Sequence, residues 1–100
     1  MSMTMTFATH VIGVCVDGAW SFTPLTGDPA QDFAIAATRN PGRTVSLCNK
    51  DGHQACYMMA TRTLVIDIEQ LEALGLTKED LLATLLIANV FVKGVIRVDK

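Results

Sequence analysis

The chain carries little charge and gathers neither sign in one place. Only 18% of its residues are Asp, Glu, Lys or Arg, and the formal net charge is -2. There is no basic stripe to neutralise a phosphate backbone and no dense acidic run to imitate one, so nucleic-acid partners are not expected. Glycine is scattered. Gly13, Gly18, Gly27 and Gly42 stand alone, and none opens a phosphate-cradling loop. Long apolar runs are missing as well. The longest, "LLATLLIANVFV" at 81–92, is bracketed by Asp80 and Lys93 and falls short of the roughly 20 residues a membrane helix needs. The opening "MSMTMTFATH" has neither the cationic start nor the small-residue cleavage site of a secretory leader. These absences predict a soluble, cytoplasmic protein without a membrane partner.

Cysteine and histidine are too few and too badly spaced for most site chemistry. Three cysteines, an odd number set far apart, suit reduced thiols better than a disulfide framework. Cys48, His53 and Cys56 read C-x4-H-x2-C, which matches no common zinc spacing and offers only three local ligands. A thiol–imidazole pair would need both groups on one face of a strand. His53 and Cys56 are three residues apart and His10 and Cys15 five, so strand alternation points each pair to opposite faces. Asp67, Glu69 and Glu72, and then Glu79 and Asp80, cluster where helices start, and there the helix dipole accounts for them. No catalytic residue, metal or cofactor is predicted.

Apolar residues, by contrast, are plentiful. They make up 50% of a 100-residue chain, which is long enough for one domain with one modest core. Residues 1–6 are expected to form a flexible N-terminus outside it. An apolar share this large in a small domain predicts that some of it is hidden against a second copy, as a homodimer.

"FATHVIGVCV" (7–16) reads as a strand, "VDG" (16–18) as a turn and "AWSFTPL" (19–25) as the returning strand. A three-residue loop with Gly18 left-handed would put Ile12, Val14, Trp20 and Phe22 on one face. A two-residue Asp17-Gly18 loop would instead group Trp20 and Phe22 with Cys15 and Val11. The first register gives the cleaner core face and is preferred, with Trp20 as a core anchor. "TGDPAQDFAIAATRNPG" (26–42) is a helix capped by Asp28, with Pro29 in its first turn, a stripe of Ala30, Phe33, Ala34 and Ala37, and a stop at Asn40, Pro41 and Gly42.

A second hairpin follows, "RTVSLCN" out, "KDG" around and "HQACYMMATRTLVID" back. A two-residue Asp51-Gly52 loop separates Cys48 and Cys56 onto opposite faces; a three-residue loop from Lys50 puts them on one. Both registers are compatible with the apolar pattern. "DIEQLEALG" is a short helix capped by Asp67 and ended by Gly75. "TKEDLLATLLIANVFVKG" is read as a longer helix from Thr77 to Gly94, followed by a strand, "VIRVDK". Its alternative is a helix to Ile87 with a hairpin turning at Lys93-Gly94. The two Asp-Gly hairpins, each followed by a helix, suggest a topological duplication.

The expected fold is therefore α+β: an antiparallel sheet of two Asp-Gly hairpins and a C-terminal strand, with two or three helices packed on one face. Recognition is the remaining chemistry. Tyr57, Met58, Met59 and Arg62 form a Met-Tyr-Arg segment of the type that adapts to a protein surface, and Arg39 and Arg43 flank the "NPG" turn. The expectation is a non-catalytic protein-binding domain, a small homodimeric inhibitor, immunity or accessory protein of bacterial or phage origin. The alternative is a small-ligand binder with a pocket between sheet and helices or at a dimer seam, lined by Trp20, Tyr57 and the methionines.

Overall fold

A computed structural model describes residues 10–25, 27–49 and 53–98. The predicted flexible N-terminus and the Asp51-Gly52 turn lie outside them. Nine elements follow in order: β1 (His10–Val16), β2 (Ala19–Pro24), α1 (Pro29–Arg39), β3 (Thr44–Asn49), β4 (Gln54–Met58), β5 (Thr63–Asp67), α2 (Ile68–Ala73), α3 (Lys78–Ile87) and β6 (Gly94–Val98). The strands form one six-stranded sheet in the order β2-β1-β3-β4-β5-β6. Every neighbouring pair is antiparallel except β5 and β6, which run parallel. The fold is α+β, with a mixed, mostly antiparallel sheet. The C-terminal strand is parallel because α2 and α3 carry the chain back before it pairs.

Ile12, Leu47, Cys56 and Ile66 stand opposite one another across four strands, and Val14, Val45, Met58 and Leu64 form a second such row. These rows join Ala30, Phe33, Ala34 and Ala37 of α1, Leu71 of α2, and Leu81 and Leu85 of α3 in one buried cluster. The four α1 residues are those of the predicted stripe, and Phe33 is wholly buried. Asp28 caps α1 by accepting from the Ala30 N–H at 3.0 Å.

Four local expectations are corrected. First, the β1–β2 hairpin turns on two residues: Val16 pairs with Ala19, and Asp17 (φ 52) and Gly18 (φ 82) are both left-handed. That is the type I′ geometry whose twist matches the strands. Trp20 and Phe22 therefore share a face with Cys15 and Gly13, and Trp20 is 43% exposed and anchors no core.

Second, the stretch 53–67 is two strands, not one. Met59 N–H donates to the Thr63 carbonyl, Arg62 N–H donates to the Met59 carbonyl, and Arg62 takes a left-handed φ of 68. This additional strand before the helix ends the proposed duplication. Third, α3 stops at Ile87. Asn89 is left-handed at φ 60, its N–H reaches the Leu86 carbonyl, and the Val90 N–H reaches the Leu85 carbonyl. This is a Schellman stop, with Val90 packed back into the core. Fourth, Lys93-Gly94 is not a hairpin turn, since Gly94 opens β6 beside Thr63.

Candidate functional site

The hairpin between β3 and β4 settles the thiols. At its tip Asn49 N–H donates to the His53 carbonyl and Cys48 pairs with Gln54, the spacing of a three-residue loop. Below the tip Leu47 pairs with Cys56, the spacing of a two-residue loop. A β-bulge at Ala55 reconciles the two registers by adding one residue to β4. Leu47 and Cys56 thus point into the core, and Cys48 lies on the opposite face with Ser46.

Cys56 is buried to 1% exposure, and desolvation pushes its thiol far above the ordinary range. Cys48 is also raised by burial, partly offset by a hydrogen bond from Ser46. Ser46 Oγ in turn accepts from Gln54 Nε2 at 3.0 Å, so this small polar chain is internally satisfied. His53 is exposed beside the tip; His10 is buried at the start of β1, where desolvation holds its pKa below the usual imidazole range. Among the described residues no group of three or more His, Cys, Asp or Glu side chains is arranged to hold a metal ion.

The six predicted contact residues do not form one surface. Met58 is wholly buried in the core, so no partner can reach it without unfolding the sheet. Tyr57 is half-buried on the face away from the core, where it lines a hollow of about 300 Å³ whose wall is part polar (His53, Gln54, Asp67 and Gln70) and part apolar (Val65 and Val98). Met59 and Arg62 sit in the β4–β5 turn, and the Arg62 carbonyl accepts from the Lys93 N–H. Val45 pairs with Met58, which brings Arg43, just before β3, to the same end of the sheet. Arg39 closes α1 nearby, and the Arg43 N–H donates to the Asn40 carbonyl. Met59, Arg62, Arg43 and Arg39 therefore gather at one sheet end, and Lys93 joins them. Arg62 Nη1 is buried there without a hydrogen-bond partner among the described residues.

A groove of about 430 Å³ runs between α1 and the first hairpin, with Ile12, Val14 and Ile35 as its apolar floor and Asp32 and Arg39 at its margin. Neither it nor the hollow beside Tyr57 is lined by Trp20 or a methionine. Apart from both lies an apolar surface on the C-terminal segment. Leu86 is 75% exposed, Ile87 83% and Phe91 66%, and Val95, Ile96 and Val98 on β6 are exposed too. The signal for it was available: "LLIANVFV" cannot turn every apolar residue inward once α3 ends at Ile87. Comparison with known proteins found no family model, no curated protein and no solved structure that matches the chain.

Proposed function

We propose that this chain is a non-catalytic protein-binding domain whose partner-facing surface is the C-terminal segment 86–98. One observation carries the reading: of ten large apolar side chains exposed among the described residues, six fall within that segment. Scattered exposed leucines are ordinary; a run of them along one stretch marks a surface that gains by being covered. Each such side chain contributes about 1.5–3 kcal/mol when fully buried. A small binding domain of this kind suits an inhibitor, immunity or accessory role.

A pull-down with the wild-type chain as bait, from lysate of the source cells, should recover one stoichiometric protein. Leu86→Ser with Ile87→Ser should lose it, and Phe22→Ser, on the other side of the sheet, should keep it. Equal recovery by all three baits would defeat the proposal. A second reading, a small-ligand binder, is supported by the groove beside α1, whose volume lies within the usual range for small-molecule sites. A metabolite that raises Tm by several degrees, with Ile35→Arg abolishing the shift, would favour that reading instead.

A further inference from the structure

β6 closes one side of the sheet and pairs only with β5, so no described strand lies along its outer backbone edge. All five of its residues are exposed. Natural edges are blunted by proline, by bulges or by rows of charge. The opposite edge, β2, ends in Pro24, which has no N–H to offer a neighbour. β6 reads Gly-Val-Ile-Arg-Val, with a single charge and no proline.

We propose that β6 pairs antiparallel with β6 of a second copy, about a two-fold axis at Ile96, fusing two six-stranded sheets into one. The proposal rests on the reading of 86–98 as a surface that gains by being covered and assigns its β6 part to a second copy, leaving Leu86 and Ile87 to the partner protein. Parity and charge select the register. An axis perpendicular to the sheet keeps each face continuous across the seam, so only residues of equal parity stand opposite one another. An axis at Val95 would set Lys93 against Arg97 of the other copy, and an axis at Arg97 would set the two guanidinium groups face to face. Like charges directly opposite are destabilising. An axis at Ile96 sets Ile96 against Ile96, each Val95 against an Arg97 stem, and each Gly94 against a Val98. It pairs the whole strand and opposes no two cations.

The exposed parts of Val95, Ile96 and Val98 amount to something on the order of 200 Å² per copy, to which the paired backbone adds, so the interface belongs with small, readily dissociating ones. A dimer dissociating in the micromolar range is expected.

Light scattering across 5–200 µM (concentrations of about this range bracket such a Kd) tests this directly. The expected mass rises towards twice the 10.8 kDa of the chain. Ile96→Lys should hold it at the monomer mass with an unchanged circular dichroism spectrum, and Ile35→Lys on α1 should still dimerise. Val95→Glu checks the register without relying on a loss: it places a carboxylate opposite Arg97 at both ends and should lower Kd about 3- to 10-fold. A wild-type monomer at the top concentration overturns the proposal, as does a dimer that survives Ile96→Lys but is broken by Phe22→Lys. Neither result bears on the pull-down with Leu86→Ser and Ile87→Ser, so the two readings fail separately.

Discussion

Gly13 shows how one residue can decide a register. A Cβ built there would lie 2.8 Å from Phe22 Cε1 and 3.1 Å from Trp20 Cε3. The two rings, 6.0 Å apart and within 9° of parallel, lie over the gap that the glycine leaves. Ile12 and Val14 look like the better partners on hydrophobicity alone, but the close approach needs a residue without a side chain. Gly13→Ala is expected to cost about 1–2 kcal/mol in urea unfolding, the scale of overpacking. With Phe22→Ala already present it should cost little or become stabilising, because alanine suits a strand better than glycine. Equal costs in both backgrounds would refute the contact.

The thiols can be ranked in the same way. Cys56 should react with a disulfide reagent only on global unfolding, whereas the half-buried Cys15 reacts in the native state. Because burial raises the Cys56 pKa, the native thiol stays protonated after the unfolded one ionises. The stability contribution is therefore complete below about pH 9 and is lost as pH rises beyond it. Cys56→Ser, which buries a hydroxyl in an apolar setting, should cost about 1–3 kcal/mol and flatten that alkaline slope.

At the scale of elements, helix ends follow local rules and were largely legible. Asp28, Asp67 and Thr77 each accept an N–H two or three residues ahead, as their positions before apolar stripes predicted. α2 ends on Gly75 at φ 79, with the Leu76 N–H returning to the Leu71 carbonyl. α3 ends in the same Schellman pattern, with Asn89 taking the place of glycine. Read as a polar break in an apolar run, Asn89 conceals the stop; read as a left-handed cap, it gives the helix end and frees 90–98 for extended chain. Asn89→Ala should therefore cost about 1–2 kcal/mol, and Asn89→Gly should be neutral or stabilising, both measured by chemical denaturation. The β4–β5 turn gave no comparable warning. Its left-handed position is held by Arg62, and no Gly, Asn or Asp marks it.

Across the whole molecule, sheet order and strand direction were the parts that local reading missed. α1 carries the chain over β1 so that β3 pairs on its far side, and the α2–α3 excursion makes β6 parallel and leaves it at an edge. Among the described residues the exposed large apolar side chains fall mainly on 86–98 rather than around Tyr57 and Met58. By itself the sequence determined the caps, the α1 stripe, the presence of strands at both ends and the α+β class. Each of these depends on hydrogen bonds or periodicities spanning a few residues. Only the tertiary structure decided the hairpin registers, the bulge that puts Cys48 and Cys56 on opposite faces, the direction of β6 and the identity of the exposed surface. These depend on pairings between distant segments, where a one-residue slip reverses every face and several registers satisfy the local pattern equally well.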